Sequence, residues 1–278
     1  MIATDYHLHS THSGDGHGSI VEMADAALAA GLAEIGFAEH IDFDRLDPHY
    51  GYLDDAAYTE SLAEARDAYA GRLVIRKGFE FDFRRAFGEE VGEVLAGLDF
   101  DFLIGSVHAA AGQAVYRLEG GAPDDLDLRA LLADYFDEVE ALAASGWCHV
   151  LGHFDYVFKQ LPDLVAACRG AWYWDRVDTV LARCIAGGVA LEVNTHHILD
   201  RGLGLAADAG IVARYAALGG GRIVVGSDAH RPSDVAHGFA EAEAMLRAAG
   251  FAEVTGFEGG RPCAVPLAND QCSKSNDQ

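Results

Sequence analysis

Short apolar runs alternate with amphipathic segments along the whole chain, and this alternation predicts repeated strand–helix units. Strands that are each followed by a helix pair in parallel, so the pattern predicts an α/β fold. Seven runs have the length and composition of buried strands: Ile2–Tyr6, Glu34–Ala38, Leu73–Phe79, Phe100–Gly105, Cys148–Gly152, Ala190–Val193 and Arg222–Gly226.

The segments between these runs carry helical periodicity, and most of them end in glycine, a common residue at helix ends. The first helix is expected to begin at the capping-box sequence Ser19-Ile20-Val21-Glu22 and to end at Gly31. Further helices are predicted at Leu53–Ala70, Glu89–Ala96, Leu126–Ala144, Trp172–Ala186, Ala207–Leu218 and Val235–Ala249.

A closed or nearly closed barrel fits these elements better than an open doubly wound sheet. No GxGxxG dinucleotide motif follows the first strand, and polar residues cluster at the ends of most strands. No internal repeat or flexible linker divides the chain. We therefore expect a single barrel domain over residues 1–266 and a disordered C-terminal tail over residues 267–278.

Composition and charge narrow the class of protein. Half of the 278 residues are hydrophobic, but no apolar run reaches the length of about 18 residues that a membrane span needs. The formal charge of −24 argues against a nucleic-acid or membrane surface, although metal ions can still attract a small anion. The five cysteines include no CxxC pair and the N-terminus has no signal-type segment, so we expect a cytoplasmic protein with reduced thiols.

The candidate chemistry lies at the predicted strand ends, where α/β barrels carry their active sites. Alternate residues of a strand point to one side, so His7 and His9 should project together, as should Asp228 and His230. Nitrogen and oxygen ligands that converge on one rim predict a multinuclear site for Zn, Mn or Fe(II). The strand-end residues are His7, His9, Asp15, Glu39, His40, Glu80, His108, His153, Asp155, Glu192, Asp228 and His230.

These residues lie in motifs that closely resemble the PHP (polymerase and histidinol phosphatase) family, specifically its stand-alone histidinol-phosphate phosphatases. The resemblance extends over residues 5 to 230 and implies a distorted (β/α)7 TIM-like barrel with a metal site at the C-terminal ends of the strands. The motifs are Asp5-Tyr6-His7-Leu8-His9, Gly14-Asp15-Gly16, Ala38-Glu39-His40, Gly78-Phe79-Glu80, Gly105-Ser106-Val107-His108, Gly152-His153-Phe154-Asp155 and Gly226-Ser227-Asp228-Ala229-His230.

The resemblance implies two to three divalent ions, with Zn, Mn or Fe as the candidates, at three positions. Asp5, Glu39 and Asp155 flank the implied ligands and would either orient imidazoles or serve as structural hydrogen-bond partners. The first ion would be held by His7, His9, Glu80 and Asp228, the second by Glu80, His108 and His153, and the third by Asp15, His40 and His230. His17 is an alternative to Asp15.

The implied activity is hydrolysis of L-histidinol phosphate to L-histidinol and phosphate, by attack of a hydroxide that bridges two ions. Asp228 and His230 are expected to act as catalytic residues that accept or relay a proton. A small phosphate ester is then the expected partner, and the sequence gives no oligomeric state. The candidates for phosphate binding are Arg201, Lys159, Arg231 and His197.

Three alternatives remain open at this point. After Asn194-Thr195 the family usually has a small residue, a glycine and a basic residue, whereas this chain has His196-His197-Ile198-Leu199-Asp200-Arg201, so a nucleotide or sugar phosphate is an alternative substrate. An amidohydrolase-like activity is a second alternative, which the lack of a lysine directly after any strand disfavours. A non-catalytic domain is the third, and the complete ligand set counts against it.

Overall fold

The computed structural model describes residues 1–45, 47–118, 126–161, 170–196, 198 and 205–267. Seven parallel strands of this part of the chain form one sheet, in the order β1-β2-β3-β4-β7-β8-β9, numbered along the chain. Their bounds are β1 Thr4–Leu8, β2 Glu34–Ile41, β3 Val74–Asp82, β4 Phe102–Ser106, β7 Val150–Leu151, β8 Ala190–Asn194 and β9 Ile223–Gly226.

The first and last strands of this order, β1 and β9, meet at one end, and the sheet is nearly closed into a barrel. Leu8, at the end of β1, forms a parallel bridge with Ala229, just beyond β9. The His9 amide donates to the Ala229 carbonyl oxygen at 3.0 Å, and the Ala229 amide donates to the His7 carbonyl oxygen at 3.3 Å. The expected seven-stranded α/β barrel is confirmed, and its first and last strands are neighbours in space.

Eight helices are found within the described ranges, and none of them is long and apolar enough to cross a membrane. Their apolar faces pack against the outer face of the sheet, where Met23 and Leu142 from helices share a buried cluster with Phe37 and Leu103 from strands. The bounds are α1 Ile20–Ala29, α2 Asp55–Ala68, α3 Gly88–Leu95, α4 Leu128–Ser145, α5 Tyr156–Gln160, α6 Ala171–Gly187, α7 Ala209–Ala217 and α8 Phe239–Ala248.

The helices begin at their capping residues, and this differs in places from the starts predicted from apolar periodicity. The capping box at Ser19 is present, with the Ser19 amide donating to the Glu22 carboxylate at 2.8 Å. Asp54 and Asp208 accept hydrogen bonds from the first amides of α2 and α7, so these helices begin after the predicted Leu53 and Ala207. The last helix begins after Gly238, whose φ of +69° is incompatible with a helix that starts at Val235.

A β-bulge in β1 sets the direction of the first ligand. Asp5 pairs with Ile35 and Leu8 pairs with Phe37, so two residues of β1, Tyr6 and His7, lie opposite the single residue Gly36. Simple alternation would place Tyr6 and His7 on opposite faces. The bulge lets both side chains enter the barrel, Tyr6 toward the apolar end and His7 toward the polar end.

The barrel interior is divided along its axis. One end is filled by an apolar cluster that is separate from the helix-facing core, and the other end carries the charged side chains at the C-terminal ends of the strands. Gly78 leaves room for the largest ring of the cluster, because a Cβ there would lie 2.3 Å from Phe102. The cluster consists of Tyr6, Ala38, Phe102, Ile104, Val150, Ala190, Val224 and Phe257.

An antiparallel hairpin, β10 (Glu253–Glu258) and β11 (Arg261–Pro266), closes the apolar end, and the sequence patterns above did not predict it. Its Phe257 ring enters the barrel 5.9 Å from the ring centre of Tyr6. The Tyr6 hydroxyl donates to the Glu34 carboxylate and accepts from the Phe257 amide at 2.7 Å. The available signal was Gly259-Gly260, both with positive φ, which is the composition of a two-residue hairpin turn.

The folded part of the chain extends at least one residue beyond the expected end of the domain at residue 266. Leu267 is buried and its amide donates to the Ala252 carbonyl oxygen at 2.9 Å, so this residue belongs to the fold and not to the tail. Residues 268–278, where a disordered tail is predicted, lie outside the described residues.

Removing the ring that closes the barrel should destabilise the protein. Phe257→Ala is expected to lower the free energy of unfolding by about 3–5 kcal/mol, because a buried ring is lost and a cavity is left beneath Tyr6. Urea denaturation followed by circular dichroism measures the change. Leu218→Ala is the control, since Leu218 is 45% exposed and its truncation should matter little. Equal midpoints for the two variants would contradict the structural role of the hairpin.

Candidate metal centre

The nine predicted ligands all lie at the polar end of the barrel, where the strands give way to their loops. Potential ligand atoms of eight of these residues and of His196 lie within 4.8 Å of one another in overlapping groups of three. The ninth, Asp15, has carboxylate oxygens within 3.6 Å of the imidazoles of His40 and His230. The groups are His7, His9 and Glu80; Glu80, His108 and His153; His7, His153 and Asp228; His9, His40 and His230; and His196, Asp228 and His230.

Glu80 lies at the centre of the cluster and is 1% exposed. Its Oε1 faces one pair of imidazoles, with His153 Nε2 at 2.9 Å and His108 Nε2 at 3.7 Å. Its Oε2 faces a second set, with His40 Nδ1 at 3.2 Å, His7 Nε2 at 3.3 Å and His9 Nε2 at 3.6 Å. The two oxygens of one carboxylate therefore separate two imidazole groups, which is the arrangement expected of a bridging ligand.

Asp15 approaches the cluster from the loop after β1. Its Oδ1 lies 3.6 Å from His40 Nε2, and its Oδ2 lies 3.4 Å from His230 Nε2. His230 Nδ1 donates to the Asp228 carbonyl oxygen at 3.0 Å, which leaves its Nε2 as the atom that faces the site. His17 is exposed and belongs to none of the ligand groups, so the geometry favours Asp15 over this alternative.

Asp228 adopts a strained backbone conformation, with a φ of +53° that non-glycine residues rarely have. Its Oδ1 faces His9 Nε2 at 3.3 Å and His7 Nε2 at 3.7 Å. Its Oδ2 accepts a hydrogen bond from Asn194 Nδ2 at 3.1 Å. The left-handed turn thus aims the carboxylate at the imidazoles of β1, on the neighbouring strand of the nearly closed barrel.

The residues that orient these imidazoles differ from those considered in the sequence. Glu192, at the end of β8, accepts from His7 Nδ1 at 2.5 Å through Oε1 and from the His153 amide at 2.7 Å through Oε2. Asp82, two residues beyond Glu80 on β3, accepts from the His108 amide at 3.1 Å and faces His108 Nδ1 at 3.4 Å. Both contacts leave the Nε2 atoms of His7 and His108 directed at Glu80.

All three flanking carboxylates, Asp5, Glu39 and Asp155, have structural hydrogen-bond partners. Asp5 accepts from the amides of Ser227 and Ala236 and so ties β1 to the loop after β9. Glu39 accepts from the hydroxyls of Ser10 at 2.6 Å and Ser13 at 2.5 Å, and only the Ser13 hydroxyl reaches an imidazole, His9 Nδ1 at 3.4 Å. Asp155 accepts from the Ala207 amide at 3.1 Å. Of the two roles left open for these carboxylates, the contacts favour the structural one for Asp5 and Glu39.

The imidazoles and carboxylates of the cluster shift one another's pKa values. Burial opposes the charged form of His7, but the carboxylates of Glu192, Asp228 and Glu80 outweigh it and raise the pKa of His7 well above its ordinary value. Burial would raise the pKa of Glu80, yet His7 and the hydrogen bonds from His153 and His40 hold it well below its usual range. Burial and the positive charges of His40 and His230 lower the pKa of His9 to about 3.

The residues present fit divalent ions. His7 Nε2 and His9 Nε2 are buried and have no hydrogen-bond partner in the described part of the chain. Buried polar atoms are nearly always satisfied, so two imidazole nitrogens that face carboxylates without a hydrogen bond indicate a missing cation. Imidazole and carboxylate donors without thiolate suit Zn, Mn or Fe(II).

A cavity of about 520 Å³ opens above the cluster, a volume that suits a small organic ligand. Arg117, in the short 3-10 helix Val115–Leu118, also lines this cavity, and no sequence motif pointed to it. The hairpin of β5 (Ala109–Ala110) and β6 (Gln113–Ala114) carries it there. His196 also lines the cavity, and its Nδ1 donates to the Asp228 carbonyl oxygen at 3.1 Å.

Of the four predicted phosphate-binding residues, the structure describes the side chain of Arg231. Arg231 is exposed and does not belong to the described residues that line the cavity. Arg201, His197 and the side chain of Lys159 lie outside the described part of the chain.

Loss of the Glu192 carboxylate should weaken metal binding. Glu192→Gln is expected to reduce the affinity for a divalent ion about 10- to 100-fold, because His7 would lose the acceptor that fixes its tautomer. Competition with a chelator measures the affinity. Glu253→Gln, at an exposed position of β10, is the matched control. If both variants retain metal equally well, Glu192 does not act on the metal site.

Metal binding at neutral pH should release protons. Burial lowers the pKa of His108, but the hydrogen bond to Asp82 and the charges of Glu80 and Asp82 raise it to about 9. Below that pH the metal-free protein holds a proton that ligation must displace, so affinity should increase with pH up to about 9. Calorimetry at pH 7 in buffers of different ionisation enthalpy checks this. Identical heats in all buffers would show that no proton is released.

Known proteins are similar to this chain in sequence. The family model described as PHP domain matches residues 5–196. A probable histidinol-phosphatase of Deinococcus radiodurans is 34% identical over 258 residues, which covers 90% of this chain and 95% of that protein. A histidinol-phosphatase of Lactococcus lactis subsp. lactis is 25% identical over 268 residues, with 93% and 96% coverage.

A solved structure agrees with the barrel. The crystal structure of histidinol phosphate phosphatase from Lactococcus lactis subsp. lactis, complexed with Zn, L-histidinol and phosphate, superposes with a TM-score of 0.79 at 22% identity. The match covers 94% of this chain and 98% of that one. With the family match over most of the barrel and the extended similarity to the Deinococcus protein, the chain belongs to the PHP domain family.

Proposed function

We propose that the protein is a metal-dependent phosphomonoesterase that hydrolyses L-histidinol phosphate to L-histidinol and phosphate, as a biosynthetic enzyme of the cytoplasm. The observation that carries the proposal is the position of Glu80, whose two oxygens separate two imidazole groups at the floor of a cavity of small-molecule size. The names of the similar Deinococcus and Lactococcus proteins support the choice of substrate.

Three ligand sets are available for the ions, and we propose the division implied by the sequence motifs. Ions bound there would supply Lewis acidity toward water and toward the phosphoryl oxygens, in a reaction that depends mainly on positioning and charge stabilisation. The sets are His7, His9, Glu80 and Asp228; Glu80, His108 and His153; and Asp15, His40 and His230.

The chain itself supplies orientation and proton handling. Asp82 and Glu192 hold the rings of His108 and His7 from behind, so the ligand atoms are aimed before an ion arrives. Asp228 and His230 are the residues that we propose for delivering a proton to the leaving alkoxide. His230 is fixed through Nδ1 by the Asp228 carbonyl oxygen, so its Nε2 would carry this proton only while it does not ligate the third ion.

Arg117 is our additional candidate for binding the phosphate group. Its position on the cavity wall would let a guanidinium grip two phosphoryl oxygens with parallel hydrogen bonds. Arg201, Lys159 and His197 remain sequence-based candidates, because the structure does not describe their side chains.

The amidohydrolase-like alternative has little support from the described residues. Such a site would be expected to use a lysine at a strand end. Lys77 is buried within β3, where its Nζ donates to Thr59 Oγ1 at 2.7 Å and lies 2.6 Å from Asp55. This side chain faces helix α2 and is not available to the metal centre.

Phosphate release from L-histidinol phosphate tests the proposal directly. The purified protein, loaded in turn with Zn, Mn or Fe(II), is expected to release phosphate, and chelation should abolish the activity. Glu80→Gln should lower kcat/KM by at least about 100-fold, because the bridging carboxylate is lost. Glu253→Gln serves as the control and should behave as the wild type.

Two outcomes would contradict the proposed function. If no divalent ion supports release from any phosphomonoester, the chain is not a phosphatase. If nucleotides or sugar phosphates are hydrolysed with a higher kcat/KM than L-histidinol phosphate, the protein is still a phosphatase, but L-histidinol phosphate is not its preferred substrate.

A further inference from the structure

The carboxylate of Glu39 is fully buried behind the metal centre, next to the loop that follows β1. Within the described part of the chain, its hydrogen bonds come from two serines of that loop. Ser10 donates its amide to Oε1 at 3.1 Å and its hydroxyl to the same oxygen at 2.6 Å. Ser13 donates its hydroxyl to Oε2 at 2.5 Å. Glu39 therefore acts only as an acceptor, and its donors belong to one short loop.

The hydroxyl of Ser13 has three partners, which is the full number that a serine hydroxyl can serve. It donates its single proton to Glu39 and accepts from the His40 amide at 3.0 Å. Its Oγ also lies 3.4 Å from His9 Nδ1. A hydroxyl has one proton and two lone pairs, so Oγ can only accept in this last contact. It follows that His9 carries its proton on Nδ1.

This tautomer is the one that a metal ligand needs at His9. A proton on Nδ1 leaves the lone pair on Nε2, which is buried and has no hydrogen-bond partner among the described residues. Nε2 faces Asp228 Oδ1 at 3.3 Å and Glu80 Oε2 at 3.6 Å, where the first ion is expected. The hydrogen bonds behind the ring thus determine which nitrogen is presented to the ion.

The two imidazoles of β1 are held by different means. Metal-bound imidazoles commonly donate their other ring N–H to a carboxylate, a carbonyl oxygen or water. His7 Nδ1 donates directly to Glu192 at 2.5 Å. His9 reaches a carboxylate only through a hydroxyl, because Ser13 lies between its Nδ1 and Glu39. Each ring therefore has a buried carboxylate behind it, and for His9 the link depends on one serine.

The same serine belongs to the segment that carries a ligand of the third ion. Ser13 lies two residues before Asp15 and also holds the backbone amide of His40. The turn around Asp15 is closed by the Gly16 amide, which donates to the Ser13 carbonyl oxygen at 3.1 Å. Ser13 therefore contacts the ring of His9 and the backbone that positions the third ligand set.

We propose that Ser13 is a positioning residue of the metal centre, which fixes the tautomer of His9 by passing its own proton to Glu39. The inference rests on the ligand sets of the proposed function, in which His9 holds the first ion. Ser13 is not among the ligands, and none of the motifs that selected them includes it. Its effect is on the direction in which a ligand atom points.

Ser10 provides a matched control for this role. Ser10→Ala and Ser13→Ala each remove one hydroxyl from the same buried carboxylate and from the same loop. Both serines are buried, but the Ser10 hydroxyl accepts from the backbone amide of His12 and not from an imidazole ring. A comparison of the two variants therefore separates orientation of His9 from simple anchoring of the loop.

Zinc affinity, measured by competition with a chelator, tests the proposal. Ser13→Ala is expected to bind zinc about 10- to 100-fold more weakly than the wild type, the effect of removing a partner that orients a ligating imidazole. Ser10→Ala should bind zinc as tightly as the wild type. Equal affinity in Ser13→Ala and the wild type would overturn the proposal. An equal loss in both variants would also overturn it, because Ser13 would then only anchor the loop.

A spectroscopic measurement on the wild type does not depend on whether the variants fold. NMR of the zinc-loaded, nitrogen-labelled protein should show the His9 proton on Nδ1 and zinc on Nε2. A proton on Nε2 would overturn the proposal, because Ser13 would then not accept from the ring. Neither measurement uses a substrate, so failure to hydrolyse any phosphate ester would contradict the proposed function alone. A wild type that binds no zinc would contradict both.

Discussion

The burial of Glu80 among five imidazoles is the interaction on which the polar half of the barrel depends. A carboxylate that is 1% exposed is tolerated only because His7, His9, His40, His108 and His153 surround it within 3.7 Å. The rings are in turn held by Glu192, Asp82 and the hydroxyl of Ser13. A network of this kind is stable when every member has a partner, and divalent ions would satisfy the imidazole nitrogens that have none.

The apolar half of the barrel makes this concentration of charge possible. Tyr6, Phe102 and Phe257 fill the interior below the ligands and exclude water from that end. The bulge in β1 joins the two halves, because it directs Tyr6 into the apolar cluster and His7 into the ligand cluster from adjacent positions. The hairpin that carries Phe257 is therefore part of the support of the metal centre, although it lies at the opposite end of the barrel.

Several carboxylates line the cavity above the cluster. Most of them have a partner within the protein and position ligands or loops. Metal ions bound at the floor of the cavity would still attract the phosphate group of a substrate. The net charge of −24 is thus compatible with a phosphate substrate.

The sequence by itself determined the strand–helix alternation, which predicts the barrel, and the polar residues at the strand ends. These follow from local rules, because the polar residues come directly after apolar runs and parallel strands bring the ends of those runs to one rim. The resemblance of their motifs to the PHP family then singled out the nine ligands. Only the tertiary structure decided which carboxylate meets which imidazole. Glu192 and Asp82 contact rings, whereas Asp5 and Glu39 bind loops, since these contacts depend on sheet register and on pairs far apart in the chain. The same holds for Arg117, which reaches the cavity through a short hairpin, and for Arg231, which is exposed and does not line the cavity. Local patterns specify that a side chain lies at the rim, and long-range packing specifies where it points.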